Sequence, residues 1–326
     1  MSDTLFRMAG ERHDERMQAV AIATRLDYYY FQGTNEDSVI HYTNKVKEFA
    51  KATHQPKYYY FAWANRLVTY YLKTSRTNIA LYEVQNMLKE AQKEDDKTGL
   101  SRCYNIMSQI YTIKRFDSMA FEWRLKEIEL TEKYNIENYN ISQTYAQIAN
   151  YYISQKKQKE ALRAVEKAIS TANSSTQQIS AKLEYVNYYS KFGDFQAAEK
   201  ILKECQIAFE QDKRLESIKK RLYNIECLYY QQTRQYQKAL EAAEMQEKEE
   251  HRLSESILSS SHYRTQGEIY QKMGNMNMAV KYLQMYINTD DSLKIANEQV
   301  ASSEFATLLN VEKLNAEKKE LMLQAQ

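Results

Sequence analysis

An aromatic residue followed nine positions later by an alanine recurs along this chain: Tyr71 with Ala80, Tyr111 with Ala120, Tyr152 with Ala161, Tyr189 with Ala198, Tyr230 with Ala239, and Tyr270 with Ala279. The alanines are 40, 41, 37, 41 and 40 residues apart, and a further step of 41 back from Ala80 reaches Val39, nine after Tyr30. A period of this size marks a repeat architecture, in which each unit is one supersecondary motif that buries its apolar face only by stacking on its neighbours. The spacing predicts seven such units.

Two helices and a tight turn account for each unit. Ile148, Ala149 and Tyr152 before one turn, and Ala161, Val165 and Ala168 after it, fall at the three-to-four-residue spacing of amphipathic helices. The small alanine lets the second helix approach the first, while the tyrosine ring fills the space beside it and keeps its hydroxyl near the edge. In Lys191-Phe192-Gly193-Asp194-Phe195 and Lys272-Met273-Gly274-Asn275-Met276 a glycine stands where a helix ends and the chain enters a left-handed conformation. Punctuation is sparse elsewhere: 326 residues hold one proline, Pro56, and six glycines, which calls for long helices with short connections. The expected fold class is all-α, a right-handed α-α superhelix of about seven helical hairpins over residues 1–290, closed by a long helix over residues 291–326.

The units resemble the tetratricopeptide repeat family on Gly267, Tyr270, Gly274, Ala279 and Leu283 in one case and on Tyr189, Gly193, Phe195, Ala198 and Leu202 in another. A period near 40 departs from the family's usual ~34, and the proline that usually closes each unit is missing. Longer helices account for both departures, as in the elongated variants of bacterial sensors and regulators. The resemblance implies a non-catalytic scaffold that takes a protein, peptide or small ligand in its concave groove.

Charge and motifs point the same way. The 45 basic and 43 acidic side chains nearly cancel, so no concentrated positive face is expected for nucleic acid. The densest basic run, Lys219-Lys220-Arg221, reads as a solvated helix end. No phosphate-binding glycine loop, dinucleotide turn or His-Glu-x-x-His pair occurs, and the five histidines are scattered, so neither enzyme chemistry nor a cofactor or metal is expected. Asp95-Asp96 and Asp290-Asp291 read as helix boundaries, where acids favour the positive end of the following helix. Cys103, Cys205 and Cys227 read as buried thiols, with a bridge between Cys205 and Cys227 left open because their helices are neighbours. No stretch approaches the ~20 apolar residues of a membrane span, and residues 1–10 lack a secretory leader's basic start and apolar run.

In a solenoid the first helix of each pair lines the concave face, so groove positions follow from their offset to the core tyrosine. Two residues before it stand Thr69, Gln109, Asn150, Asn187, Leu228 and Glu268; six before it stand Asn65, Asn105, Ala146, Leu183, Asn224 and Arg264. The ligand-binding expectation rests on Asn65, Asn105, Gln109, Asn150, Asn187, Asn224, Arg264 and Glu268, because amides offer both donor and acceptor to a peptide backbone or to hydroxyls. The 28 tyrosines cluster in doublets such as Tyr188-Tyr189 and Tyr229-Tyr230, whose second member is expected in the core and whose first at a unit interface or groove wall.

The chain's end adds a second resemblance. Tyr286 a few residues before Asp291-Ser292-Leu293, then a charged stretch to Gln326 without glycine or proline, is similar to the sensor region of membrane-bound histidine kinases and related helix-turn-helix regulators of Bacteroidetes. It implies a periplasmic sensor module of a two-component signal transduction system, with the C-terminal helix leading toward a membrane span and available for homodimer formation. The alternative expectation is a cytoplasmic tetratricopeptide adaptor or peptide-responsive regulator.

Overall fold

The computed structural model describes residues 2–33, 35–253 and 261–324, and among them every regular element is a helix. Two compact units form, Met1–Ile136 together with Asn297–Gln326, and Glu137–Ala296.

The first unit holds α1 (Ser2–Glu11), α2 (Glu15–Gln32), α3 (Glu36–Ala52), α4 (Pro56–Ala62), α5 (Thr69–Lys73), α6 (Thr77–Lys93), α7 (Lys97–Ile113) and α8 (Asp117–Tyr134). A π-helical turn, Trp63–Val68, joins α4 to α5 as one rod. The wider turn seats Trp63, fully buried beside Leu67 and Val68, and Thr69 Oγ1 donates back to the Ala64 carbonyl at 2.9 Å. The second unit holds α9 (Ile141–Ser154), α10 (Gln158–Ser170), α11 (Ser175–Phe192), α12 (Phe195–Gln211), a short 3₁₀ segment (Lys213–Ile218), α13 (Lys219–Gln232), α14 (Tyr236–Leu253), α15 (Ser261–Lys272) and the start of α16 (Met276–Gln324). The seven expected hairpins are α2/α3, α4–α5/α6, α7/α8, α9/α10, α11/α12, α13/α14 and α15/α16. α1 precedes them; it carries no aromatic–alanine mark and is tied down by Ser2 Oγ on the Ala21 carbonyl at 2.7 Å.

Backbone hydrogen bonding explains the nine-residue spacing. At each of six turns the N–H five residues after the tyrosine donates to the tyrosine carbonyl: Arg76 to Tyr71, Phe116 to Tyr111, Lys157 to Tyr152, Asp194 to Tyr189, Gln235 to Tyr230 and Asn275 to Tyr270, all at 2.8–3.0 Å. This is the six-to-one closure of a helix end. Four residues further on, the N–H of Ala80, Ala120, Ala161, Ala198, Ala239 or Ala279 donates to the carbonyl of that same fifth residue, opening the next helix at 2.9–3.1 Å. The residue before the fifth adopts positive φ, as glycine at Gly193 (φ 91°) and Gly274 (φ 79°) but as Ser75, Arg115, Lys156 and Arg234 elsewhere. A non-glycine residue there costs roughly 1–2 kcal/mol, an amount that six bonded turns and stacked cores absorb. Val39 and the alanines at 80, 120, 161, 198 and 239 are fully buried, and Ala279 is nearly so.

Two of the tyrosine doublets are ordered differently from the expectation, whereas Tyr71 is buried as expected. Tyr188 and Tyr229 are the buried members, while Tyr189 and Tyr230 are half-buried. Tyr229 packs among Leu183, Val186, Ala198 and Leu202 of the preceding hairpin, while Tyr230 lies partly exposed against both that cluster and the next. Cys205 belongs to this same cluster and Cys227 to the next one, with Ala239 and Ala243, so the two thiols face different cores and are free. Burial pushes the Cys205 thiol up to about 11. The expected helix boundary at Asp290-Asp291 is absent: both lie inside the 49-residue α16, where Lys294 one turn on meets Asp290 at 3.3 Å, an interior pair instead of a cap.

One buried acid sets a pH dependence. Glu226 of α13 is 9 % exposed, and burial raises its carboxyl above the ordinary value, partly offset by the hydrogen bond from Gln206 Nε2 at 2.6 Å. A carboxyl whose folded value is raised favours folding while protonated, and that contribution is lost as pH rises through the folded value. Glu226→Gln is therefore expected to raise the melting temperature at pH 7 and to leave it unchanged near pH 4. Equal melting shifts at the two pH values would contradict the assignment.

Candidate functional site

In the second unit the first helices of successive hairpins lie side by side, with α11 flanked by α9 and α13. Side chains spaced by a helical turn on these helices form one face. On α9 it carries Ser142, Ala146 and Asn150; on α11, Thr176, Ser180 and Asn187; on α13, Arg221 and Asn224.

At one end of this face is a cavity of about 400 Å³, lined by Ser142, Ala146, Thr176, Ser180, Arg221 and Asn224 among others. Lys220 and Arg221 also line it, and no aspartate or glutamate does. Beneath lies Glu184, 1 % exposed, whose carboxylate accepts from Arg221. That pair fixes the guanidinium at the wall, while the Arg221 Nε is left without a hydrogen-bond partner. The cavity thus presents hydroxyls, amides and positive charge, a set suited to an anionic group on an otherwise polar ligand.

At the other end, Asn187 Nδ2 donates to Asn150 Oδ1 at 2.7 Å across the two helices. Whichever way the two amides are turned, one donor and one acceptor remain on this edge, the complement of a peptide unit's C=O and N–H.

The other expected groove residues are placed less favourably. Asn105 donates to the buried Glu127 carboxylate at 3.1 and 3.2 Å, so its amide serves the interior of the first unit, while the exposed Gln109 is spent on Asn105, donating from Nε2 to its Oδ1 at 2.7 Å along the same helix. Asn65 is exposed in the π-helical turn. Arg264 and Glu268 pair with each other at 2.8 Å on α15. The structure brings Asn150 and Asn187 together, places Asn224 in the cavity wall, and does not assemble all eight residues into one site. Sequence reasoning missed Arg221 and Lys220, read as a solvated helix end. The signal was Glu184, an acid four residues before the buried Tyr188 and thus on the same packed face, with Arg221 37 residues later near the start of the neighbouring first helix.

A second cavity, about 410 Å³ in the first unit, is walled by Lys51, Tyr59, Tyr60, Glu90, Glu94 and Asp96. Its polar groups satisfy one another: Lys51 meets Glu90 at 3.4 Å and Glu94 at 3.3 Å, and the Tyr60 hydroxyl donates to Asp96.

The fold is that of tetratricopeptide-like helical solenoids. The structure of NprR in complex with its cognate peptide NprX is similar over 88 % of this chain and 82 % of that one, with a TM-score of 0.57 and 12 % identity. A Rap protein complexed with competence and sporulation factor matches over 86 % and 76 %, with a TM-score of 0.56 and 14 % identity. A tetratricopeptide repeat protein from Parabacteroides merdae ATCC 43184 matches over 87 % and 99 %, with a TM-score of 0.51 and 14 % identity. No protein-family model and no curated protein matches the chain.

Proposed function

We propose that this chain is a non-catalytic binding module that holds an extended peptide or protein segment along the α9–α11–α13 face, with an acidic side chain or terminal carboxylate in the Arg221 cavity. The carrying observation is the pairing, on one face, of the Asn150–Asn187 amides with a cavity whose lining includes Lys220 and Arg221 and no acid, the Arg221 guanidinium being held by Glu184 beneath. The amides take the backbone and the cavity takes the charge, a division that gives affinity without demanding one sequence and specificity through one anchor. Of the solved structures of this fold, that of NprR holds its cognate peptide NprX and that of a Rap protein holds competence and sporulation factor, which supports the reading.

Selection of phage-displayed random peptides on the immobilised full chain tests it. Acid-bearing peptides are expected to enrich, and Lys220→Glu or the Asn150→Ala/Asn187→Ala pair is expected to weaken a selected peptide about tenfold or more, the worth of one or two charge-assisted or amide hydrogen bonds. Binding unchanged in both variants would sink the assignment of this face.

A second reading places the module as the periplasmic sensor region of a membrane-bound two-component regulator. Its support is α16, whose 49 residues exceed what one hairpin needs. The coding sequence flanking the chain tests it: a leader upstream and a membrane-length apolar helix downstream are expected, and a flanking sequence without them points to the cytoplasmic adaptor.

A further inference from the structure

The start of α6 is a helix end whose own sequence leaves it uncapped. Arg76 stands at the capping position, makes no side-chain bond to the helix, and turns to Glu36 at 2.7 Å instead. No acid lies in the first turn of α6. The hairpins opened by Asp194 and Asn275 differ, since those side chains accept from Ala197 N–H at 3.1 Å and Met278 N–H at 3.2 Å.

The missing carboxylate comes from 226 positions away. Glu304 of α16 is 2 % exposed, and its Oε1 accepts the backbone N–H of Asn78 at 3.0 Å and of Ile79 at 3.1 Å, the second and third residues of α6. Its Oε2 accepts from Asn78 Nδ2 at 2.8 Å, and Lys114 Nζ donates to Asn78 Oδ1 at 2.7 Å behind it. Two backbone donors, a side-chain amide, the positive end of a helix and a nearby ammonium make a complete receptor for one carboxylate. Leu308, one turn further along α16, packs against the core cluster that includes Ile79 and Ala80. On the same stretch Ser302, Ser303, Phe305 and Leu309 stay exposed, so few side chains hold this part of α16.

We propose that the start of α6 is a carboxylate-binding site and that the part of α16 beginning at Asn297 is a releasable latch seated on it by Glu304, with Leu308 as its apolar foot. The ligand class is a carboxylate carried on a helix, supplied here in cis. A buried carboxylate is costly without donors, and the capping N–H groups are costly without an acceptor, so the contact is strong when made and leaves two penalties when broken. It therefore behaves as a two-position element more than as a graded surface contact.

Amide hydrogen exchange on the full chain tests the latch. Glu304→Gln keeps shape and removes the charge; exchange is expected to rise about tenfold or more both in residues 77–81 and in residues 297–308, with α3 and α8 unchanged. Arg76→Ser on the Glu304→Gln background gives α6 a local cap; it is expected to restore protection to residues 77–81 and not to residues 297–308. The proposal is overturned if residues 297–308 keep wild-type protection in Glu304→Gln, or if the local cap restores both segments together, which would make Glu304 a cap alone.

Discussion

Glutamate in place of Ala161 or Ala198 is expected to cost about 3 kcal/mol or more, because it drives two extra carbons ending in a charged carboxylate into a close helix contact. Both alanines are fully buried, and Ala198 sits among Leu183, Val186, Leu202 and Tyr229, which supply no cation to pair with a carboxylate. At roughly 2–4 °C per kcal/mol for a unit of this size, the melting temperature should fall by about 10 °C. The exposed Lys159, on the first turn of the same helix as Ala161, supplies the control, since Lys159→Glu adds the same group to solvent and should leave the melt unchanged. A melt within a degree or two of wild type for either alanine variant would remove the close helix contact on which the repeat is built.

The second large effect falls on Gly267. A Cβ built there lies 2.8 and 2.9 Å from the Leu283 side chain and 3.3 Å from the Leu283 backbone nitrogen, so α15 and α16 touch through this glycine. The chain accepts a residue that costs a helix interior about 0.5–1 kcal/mol relative to alanine in return for that approach. Gly267→Val is expected to lose about 2–3 kcal/mol by forcing the two helices apart. Gly193 makes the contrast: nothing lies within 4 Å of its notional Cβ, but φ is 91°. Gly193→Ala should cost only the left-handed strain, about 1–2 kcal/mol. Thermal melts that rank Gly193→Ala above Gly267→Val would reverse the two roles.

How far the sequence was readable follows from the range of each interaction. The turn closing on Tyr189 and opening at Ala198 is written within ten residues, so its period could be found by self-similarity alone. The same turn at Ser75 or Arg234 carries no glycine, and only the tyrosine and alanine on either side betray it. Asp96 caps α7 through Gly99 N–H at 2.9 Å as the acid reading required, whereas Asp290 and Asp291 are absorbed into a continuous helix because nothing after Asn288 breaks it and Lys294 supplies an interior partner.

The candidate site was legible only in part. Asn150, Asn187 and Asn224 follow from a fixed offset to the core tyrosine, and the structure keeps them on one face. Offset alone did not separate them from Asn105, whose amide is drawn inward by Glu127, or from Gln109, which is spent on Asn105 one turn away. Arg221 needed its tertiary partner, Glu184, to be recognised as a wall residue instead of a solvated charge. Glu304 lay beyond any local reading, since the helix it caps begins more than two hundred residues earlier.

A crystal structure of the full chain with a peptide selected from the random library tests the central claim most directly. The account predicts the peptide extended across α9, α11 and α13, its backbone within hydrogen-bonding distance of the Asn150 and Asn187 amides and a carboxylate in the cavity beside Arg221. A peptide seated on the outer helices α10 and α12, or in the cavity walled by Lys51 and Asp96, would contradict it.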